Sequence, residues 1–234
     1  MNLANKTILI TGANRGIGQT LVTEALNRGA KRIYAGTRVA LKHPDARVIP
    51  ITLDITNKDQ IRQAVQEIPD LDILVNNAGI AVYDDLSDRE TVIKHLAVNF
   101  FGTYDLTQAF LPLLISAKGA IVNILSIVSL ASLPPIASYS VSKAAAFSMT
   151  QSLRAYLAGK GVNVHAVLTG PVDTDMNRGF DIPKASPASA ATAIFDGVEQ
   201  GEDEIFPDPM SASLAEGWRN GPVKAMEQQN AAFV

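Results

Sequence analysis

The segment Thr11-Gly12-Ala13-Asn14-Arg15-Gly16-Ile17-Gly18 joins a short apolar run, Thr7–Gly12, to a helical pattern, Gly16–Arg28. Glycines in such a loop let the backbone turn tightly and approach a pyrophosphate closely. The phosphates then lie at the start of the helix, where backbone amides have no partner within the helix. A glycine cluster alone indicates only a tight turn, but the strand before it and the helix after it favour a phosphate site. The segment therefore predicts a phosphate-binding loop between a first strand and a first helix.

Apolar β-type runs and longer helical patterns alternate along the rest of the chain. Several runs are apolar almost without interruption, as expected for strands buried on both faces of a parallel sheet. The predicted strands are Thr7–Gly12, Arg32–Thr37, Val48–Leu53, Ile73–Asn76, Ala120–Leu125, Asn163–Leu168 and Glu204–Phe206. The predicted helices are Gly16–Arg28, Lys58–Glu67, Asp88–Ser116, Ser138–Ala158 and Pro187–Gln200. This alternation predicts an α/β fold with a doubly wound parallel sheet, right-handed crossovers and flanking helices.

The chain of 234 residues contains no linker or repeat that would divide it, so we expect a single domain over residues 1–234. The alternation of strands and helices ends near residue 207. The last stretch, about 207–234, contains the only tryptophan, Trp218. We expect this extension to pack as a helix over the substrate side or at a subunit contact.

The composition excludes several classes of protein. The chain is 47% hydrophobic and 18% charged with a net charge of −3, which indicates a folded protein without a nucleic-acid surface. Cysteine is absent, and His43, His95 and His165 lack metal-ligand spacing, so neither disulfides nor a metal site is expected. The uncharged stretch Gly119–Ser142 could span a bilayer by length, but Pro134-Pro135 and several serines indicate strand, loop and helix start instead. We therefore expect a cytoplasmic protein that does not enter a membrane.

A second informative segment is Tyr139-Ser-Val-Ser-Lys143, with Ser126 thirteen residues upstream. In a helix, positions i and i+4 share a face, so the phenol and the ammonium would project into the same space. A phenol has a pKa near ~10 and transfers protons poorly at neutral pH unless a neighbouring cation lowers that value. A serine hydroxyl from another strand could hold a carbonyl oxygen against the tyrosine. The chain has a second copy of this spacing, Tyr156-Leu-Ala-Gly-Lys160, so the pattern alone does not select the site.

In order and spacing, the chain from Asn5 to about Phe206 resembles the short-chain dehydrogenase/reductase family. The glycine-rich loop matches the family's T-G-x-x-x-G-x-G, and Tyr139–Lys143 matches its Y-x-x-x-K. Further matches are Asp54 after the third strand, Asn76-Asn77-Ala78-Gly79 after the fourth, Asn99 in a helix, Ser126, and Gly170-Pro171-Val172-Asp173-Thr174. The resemblance implies a Rossmann-type nucleotide-binding domain that transfers hydride between a nicotinamide and a carbonyl or secondary alcohol.

The resemblance also implies a role for each matched residue. Tyr139 would be the general acid/base and Ser126 would position the substrate oxygen. Lys143 would lower the tyrosine pKa and hold the nicotinamide ribose, while Asn99 would anchor a water that links Lys143 to solvent. The implied catalytic residues are Asn99, Ser126, Tyr139 and Lys143. The implied cofactor-binding residues are Gly12, Asn14, Arg15, Gly16, Ile17, Gly18, Thr37, Arg38, Asp54, Ile55, Asn77, Ala78, Gly79, Tyr139, Lys143, Pro171, Val172 and Thr174.

The family pattern also selects between the two tyrosine–lysine copies. Thirteen residues before Tyr156 stands Lys143 rather than a serine, and Gly159 and Gly161 mark the end of that helix. The pattern therefore identifies Tyr139 as the site and leaves Tyr156 with a packing role near a helix end.

The chain departs from the family pattern at a few positions. The usual proline before Gly170 is Thr169, which we expect to loosen the nicotinamide loop, and the usual Ser-Ser pair is Leu125-Ser126. Only 15 residues separate Arg38 from Asp54, so the helix normally found there is expected to be reduced to a loop. None of these changes removes a catalytic group.

The end of the second strand predicts which nucleotide binds. A carboxylate there would accept the ribose 2′-hydroxyl of NAD, but this chain has Thr37 followed by Arg38, and Arg15 lies in the glycine-rich loop. A 2′-phosphate matches an arginine fork and would be repelled by an acid. We therefore predict NADP(H) rather than NAD(H); the alternative is that both arginines are merely solvated.

The substrate is the least determined part of the prediction. Candidate pocket residues, from their position relative to the motifs, are Val82, Tyr83, Val128, Leu130, Leu133, Met176 and Phe180. They are mostly apolar, which favours an uncharged ketone, aldehyde or secondary alcohol, although the same residues could be ordinary core. Arg178 is an isolated possible contact for an anion.

Two further expectations concern activity and assembly. A protein that binds NADP(H) as a regulatory signal without turnover is the alternative function, and the presence of all four tetrad residues favours the enzyme. The resemblance implies a homodimer or homotetramer built on the helices at Asp88–Ser116 and Ser138–Ala158.

Overall fold

A computed structural model of the chain describes residues 1–179 and 181–234, and seven strands in these residues form one parallel sheet. The strands are β1 (Thr7–Thr11), β2 (Arg32–Thr37), β3 (Val48–Thr52), β4 (Ile73–Asn76), β5 (Ala120–Ile124), β6 (Asn163–Val167) and β7 (Glu204–Ile205). Their order across the sheet is β3-β2-β1-β4-β5-β6-β7. Successive connections therefore run in opposite directions from β1, which makes a crevice at the carboxyl ends of β1 and β4. The predicted doubly wound α/β fold is confirmed.

Helices cover both faces of this sheet. In the described residues they are α1 (Gly16–Asn27), α2 (Lys58–Glu67), α3 (Arg89–Leu96), α4 (Thr103–Ala117), α5 (Ala137–Ala158), α6 (Pro187–Gln200), α7 (Pro209–Arg219) and α8 (Pro222–Asn230). Short 3₁₀ turns occupy Ile127–Ser129, Asp175–Asn177 and Ala231–Phe233.

The alternation of side chains along β1 explains why both faces are covered. Ile8 and Ile10 enter one core cluster together with Phe195 of α6, whereas Leu9 enters a second cluster with Phe110 of α4. All five of these side chains are fully buried. Because neighbouring residues of a strand face opposite sides, a strand buried on both sides must be apolar throughout.

The one long helix predicted for Asp88–Ser116 is wrong in detail. The structure divides it into α3 and α4, and the segment between them, Ala97–Gly102, is a π-helical turn that contains Asn99. A π-helical turn inserts an extra residue without breaking the helix, and such turns are frequent at functional sites. The loop expected between Arg38 and Asp54 is confirmed, because residues 38–47 carry no helix.

The C-terminal extension forms two helices, α7 and α8, rather than one. Four charged side chains attach α8 to the body of the protein. Arg154 of α5 donates to Glu204 of β7 at 2.7 Å and also pairs with Glu227, while Lys224 lies 2.9 Å from Glu204 and 3.1 Å from Glu227. The Glu204 side chain is 2% exposed, so a buried ion network holds the extension in place.

Among the helices in the described part of the chain, none combines the length and the apolar character needed to cross a membrane.

Candidate active site

The glycine-rich loop lies at the crevice where the sheet order reverses. Gly12 has a φ of 64°, a left-handed conformation that L side chains rarely adopt. A Cβ on Gly18 would lie 2.2 Å from the Gly12 carbonyl oxygen, so α1 can approach β1 this closely only because residue 18 has no side chain. These two glycines therefore set the position of the helix start relative to the first strand.

The loops that follow β1 and β4 are bonded to each other. The Asn77 side chain donates to the Thr11 carbonyl at 2.8 Å, and the Thr11 hydroxyl accepts from the backbone amides of Asn77 and Ala78, both at 3.0 Å. The predicted Asn-Asn-Ala-Gly segment therefore lies directly beside the glycine-rich loop.

The start of α1 provides backbone amide donors that no side chain in the described part of the chain satisfies. Arg15 occupies the N-cap position without a side-chain hydrogen bond to the helix, and the first turn contains no acid. A cavity of about 490 Å³ lies in front of this turn; Arg15, Gly16, Thr174, Arg178 and Lys184 are among its lining residues. Free amides and cations around a cavity of this size fit the diphosphate of a dinucleotide.

The residues expected near the adenosine lie at the ends of β2 and β3. Thr37 is buried and its hydroxyl donates to the Val39 carbonyl, whereas Arg38 is exposed. The pKa of the Asp54 carboxyl is lowered. Burial acts to raise it, but the hydrogen bonds from Thr56 and the charge of Arg38 together have the larger effect. Beside Asn14, a cavity of about 270 Å³ is bounded by the loop that replaces the usual helix.

Arg15 and Arg38 have different environments. Arg15 pairs with Asp175 at 3.5 Å, on the opposite wall of the larger cavity, and both side chains are largely exposed. The structure therefore shows one of the two predicted arginines engaged by an acid of the protein.

The predicted catalytic residues converge at the carboxyl end of β5. Tyr139 and Lys143 are buried on the first turns of α5, and the Tyr139 phenol hydrogen-bonds with the Ser126 hydroxyl. Lys143 donates from Nζ to the Ile124 carbonyl at 2.8 Å, and its Nζ lies 5.6 Å from the centre of the Tyr139 ring.

Asn99 joins this group through the π-helical turn. Its side-chain amide donates to the Ile80 carbonyl and accepts from the Ile80 amide, both at 2.9 Å. The same Nδ2 donates to the Ser142 hydroxyl on α5 at 2.9 Å. Asn99 therefore connects the loop after β4 to the helix that carries Tyr139.

Burial controls the protonation of the tyrosine and the lysine. It raises the pKa of Tyr139 to about 12, opposed by the hydrogen bond with Ser126. It lowers the pKa of Lys143 to about 8. The pKa of Tyr139 is thus raised, not lowered as the Tyr139–Lys143 spacing suggested, because removal of the phenol from water has a larger effect than its hydrogen bond with Ser126.

Thr169 does not loosen the loop after β6 as we expected. It is buried, its hydroxyl donates to the Leu125 carbonyl at 3.0 Å, and its carbonyl accepts from the Ser126 hydroxyl at 3.1 Å. The next residue, Gly170, donates its amide to Asp208 at 2.7 Å, and Asp208 also caps α7. These bonds attach both the serine and the C-terminal extension to the end of β6.

Asp84 and His95 are residues near the site that the sequence argument missed. Asp84 accepts from the Ser138 amide at 3.0 Å and from the Ser138 hydroxyl, one residue before Tyr139. The fully buried His95 lies with its ring centre 6.5 Å from that of Tyr139, and its Nε2 accepts from the Val82 amide at 3.2 Å. The sequence alone contains no signal for Asp84, because the N-cap position of Ile136, whose side chain makes no hydrogen bond to the first turn of α5, is known only from the structure.

Most of the predicted pocket residues are accessible. Val82, Tyr83, Leu133 and Met176 are exposed, whereas Val128 and Leu130 are half-buried. Leu130 packs against a small core cluster, so this residue belongs to the core rather than to a substrate pocket. Phe180 lies outside the described residues.

The second tyrosine–lysine copy lies away from these contacts. Tyr156 is 63% exposed, so the packing role predicted for it is wrong, and Lys160 is exposed too. Exposure leaves Tyr156 without the desolvation that characterises Tyr139.

The parallel sheet, the glycine-rich loop at its switch point and the amides at the start of α1 define a nucleotide-binding protein of the Rossmann type. The sequence model of the family described as short chain dehydrogenase matches residues 6–184. The chain belongs to this family of oxidoreductases.

Individual relatives agree with this assignment. A 3-oxoacyl-[acyl-carrier-protein] reductase FabG of Thermotoga maritima is 32% identical over 83% of this chain and 84% of its own length. An NADPH-dependent 1-acyldihydroxyacetone phosphate reductase of Schizosaccharomyces pombe is 37% identical over 73% of this chain and 61% of its own. A solved short chain dehydrogenase from Burkholderia cenocepacia, in complex with NADP, has a TM-score of 0.90, 38% identity and 98% coverage of both chains.

Proposed function

We propose that this protein is an NADP(H)-dependent oxidoreductase that acts on a carbonyl group or a secondary alcohol, with Tyr139 as the general acid/base. The observation that carries the proposal is the buried Tyr139 phenol, hydrogen-bonded to Ser126 with the Lys143 ammonium 5.6 Å from its ring centre. A buried phenol beside a hydroxyl and a buried cation is an arrangement for proton transfer to a substrate oxygen.

We propose a position for each part of the cofactor. The amides at the start of α1 would bind the diphosphate, and Arg38 would contact the 2′-phosphate. When bound, the nicotinamide supplies or takes up the hydride, and Lys143 together with the Pro171–Thr174 segment would hold that end. NADP(H) rather than NAD(H) is supported by Thr37-Arg38 at the end of β2, where no acid stands to bind a free ribose hydroxyl. The cofactors named for the S. pombe and B. cenocepacia proteins support the same choice.

Tyr139 holds its proton at neutral pH, because its pKa is about 12. In the reductive direction the phenol therefore starts in the form that donates, and Ser126 orients the substrate oxygen towards it. Lys143, with a pKa of about 8, stands close enough to working pH to exchange a proton. Asn99 would anchor the water through which that proton is replaced.

The substrate we propose is small and uncharged: a ketone, an aldehyde or a secondary alcohol. The exposed apolar side chains Val82, Leu133 and Met176 support this class, since they offer no charged partner for an anionic substrate. We also propose a cytoplasmic homodimer or homotetramer. Exposed apolar side chains on the predicted contact helices, such as Phe101, Tyr104 and Val141, support self-association.

A catalytically silent NADP(H)-binding regulatory protein remains the second candidate. The desolvation of both Tyr139 and Lys143 favours the enzyme, because strongly shifted ionisable groups in a cleft are characteristic of catalytic sites. Turnover separates the two functions.

The test is a steady-state scan of NADPH oxidation across diverse ketones and aldehydes, followed by Tyr139→Phe. This variant should lose about 10²- to 10⁴-fold in kcat while it binds NADPH as before, since only the proton donor is removed. Tyr156→Phe is the matched control and should retain full activity. Retained turnover in Tyr139→Phe would exclude the proposed mechanism, and absence of turnover in the unaltered protein would favour the regulatory function.

A further inference from the structure

The helix that carries Tyr139 begins without a capping residue of its own. Ile136 occupies the N-cap position of α5, and no side-chain hydrogen bond from it reaches the first turn. The first turn of a helix leaves its amides unpaired, and an apolar residue at this position is among the poorest caps. Tyr139 lies in this same first turn, so its position depends on how the turn is held.

Asp84 supplies the missing cap from a distant part of the chain. Its carboxylate accepts from the Ser138 amide at 3.0 Å and from the Ser138 hydroxyl, and Ser138 is fully buried. The loop runs alongside the helix start as well, because the Asp84 amide donates to the Pro135 carbonyl at 3.1 Å and Asp84 forms a parallel bridge with Ile136. Backbone and side chain of one residue thus hold the two segments together.

The turn after Asp84 is strained, and the same carboxylate stabilises it. Leu86 has a φ of 67°, which costs a non-glycine residue about 1 kcal/mol. The Leu86 amide also donates to the Asp84 carboxylate. A carboxylate with three donors favours its charged form, and although burial acts against it, these bonds lower the pKa of Asp84.

We propose that Asp84 is a positioning residue for Tyr139: it fixes the start of α5 and joins it to the loop of exposed apolar residues beside the site. This inference rests on the proposed function, because Tyr139 must be the proton donor for its position to matter. Asp84 also places a negative charge at the positive end of the α5 dipole. A nearby negative charge disfavours a phenolate, so we expect Asp84 to help keep Tyr139 protonated.

The other groups that face Tyr139 do not duplicate this effect. Lys143 on the same helix carries the opposite charge, and Ser126 and Asn99 are neutral. His95 on α3 bonds through Nδ1 to the Thr91 carbonyl at 2.8 Å and through Nε2 to the Val82 amide at 3.2 Å, so it makes no bond to the first turn of α5 in these contacts. Among the described residues in these contacts, Asp84 is thus the acid that bonds to the first turn of α5.

Two variants separate the geometry from the charge. Asp84→Asn keeps an oxygen for the Ser138 amide but removes the charge, whereas Asp84→Ala removes both. We expect kcat to fall about 10- to 100-fold in Asp84→Ala, as when a reacting group is misplaced by about 1 Å, with little change in KM for NADPH. Asp84→Asn should have a kcat within about threefold of that of the unaltered protein. In its pH–rate profile, the fall in rate caused by ionisation of Tyr139 should occur at lower pH. Asp85→Asn, which removes a charge from the adjacent exposed residue, is the control and should match the unaltered protein.

Amide hydrogen exchange at Ser138 and Tyr139 gives a readout that does not need turnover. Exchange should be faster in Asp84→Ala and near normal in Asp84→Asn. If Asp84→Ala keeps its kcat and its exchange protection at a temperature where it is folded, the assignment is wrong. A melting temperature that falls while kcat stays unchanged would also overturn it, by reducing Asp84 to a structural role. Faster exchange in a protein without any carbonyl reductase activity would instead contradict the proposed function and keep the capping role.

Discussion

Arg15 of the glycine-rich loop forms an ion pair with Asp175 of the loop after β6, with 3.5 Å between Nη1 and Oδ2. The two residues belong to opposite walls of the cavity in front of α1. The pair is exposed, and exposed pairs contribute about 0–1 kcal/mol. A 2′-phosphate is a stronger partner for a guanidinium than a single solvated carboxylate, so we expect Asp175 to compete with the cofactor for Arg15.

Asp175→Asn should therefore tighten the binding of NADPH. The gain is limited to about fivefold, because it cannot exceed the roughly 1 kcal/mol that an exposed pair is worth. NADH, which has no 2′-phosphate, should bind as before. Fluorescence titration with both nucleotides measures the effect. Asp181→Asn, on the same loop, is the control; if it tightened NADPH binding equally, general charge rather than the Arg15 pair would be responsible.

Arg38→Asp should reverse part of the preference between nucleotides. The substitution removes a charged donor to the 2′-phosphate and adds an acid suited to a ribose hydroxyl, so the ratio of kcat/KM for NADPH to that for NADH should fall at least about tenfold. Arg62→Asp, an exposed arginine on α2, provides the control with the same change in charge. Equal efficiency with the two nucleotides in the unaltered protein, and an unchanged ratio in Arg38→Asp, would contradict the assignment.

Gly18→Ala and Gly217→Ala should have opposite effects on stability. A Cβ at residue 18 would lie 2.2 Å from the Gly12 carbonyl oxygen, so α1 must move and the phosphate loop with it. At residue 217 in α7 a Cβ meets nothing within 4 Å, and alanine in a helix is favoured over glycine by about 1 kcal/mol. Urea unfolding should show the loss at residue 18 and the gain at residue 217. A Gly18→Ala protein with unaltered stability and NADPH affinity would show that the contact between α1 and β1 can relax.

Lys143 should give the protein a stability that rises with pH. Its pKa is lowered from 10.5 to about 8, so between these values the unfolded chain binds a proton that the folded protein does not. Stability should therefore increase from pH 8 towards pH 10.5, by about 3 kcal/mol at ~1.4 kcal/mol per pH unit. The raised pKa of Tyr139 acts oppositely and only above pH 10, where the unfolded tyrosine begins to ionise.

Lys143→Met removes this rise. Relative to the unaltered protein, the variant should be more stable at pH 7 than at pH 10: the difference between their free energies of unfolding should shift by about 3 kcal/mol. Lys160→Met, which changes an exposed lysine beyond the end of the same helix, should follow the unaltered protein at both pH values. A constant difference between Lys143→Met and the unaltered protein across this range would show that Lys143 is not desolvated.

The parts of the fold that depend on local patterns were predictable from the sequence. Apolar strands such as Ile8–Ile10 and the glycines of residues 12–18 determine their own local structure, and the parallel sheet follows from their alternation with helices. The π-helical turn at Asn99 was not predictable, because its extra residue is stabilised by a contact with Ile80 outside the helix. Partners distant in sequence, such as Asp84 and Ser138, lie beyond any local pattern.

The direction of the Tyr139 pKa was missed for a related reason. The spacing from Tyr139 to Lys143 indicates that the two side chains share a face, and it suggested a cation that stabilises the phenolate. It contains no information about how far the surrounding fold removes both groups from water. Burial is a property of the assembled site, and here it is the largest cause of the pKa shift of both groups.

The ion network around Glu204 limits how far the chain can be truncated from its C-terminal end. The alternation of strands and helices stops at β7, so a truncation of the chain just after β7 would be a natural choice from the sequence. Such a cut would remove Lys224 and Glu227, leaving the carboxylate of Glu204 enclosed with Arg154 as its remaining partner in that network. Removal of some partners from a buried ion network lowers stability strongly, whereas replacement of the whole network by apolar side chains is often neutral. The smallest fragment that we expect to fold stably therefore includes α8, although no residue of that helix belongs to the proposed catalytic tetrad.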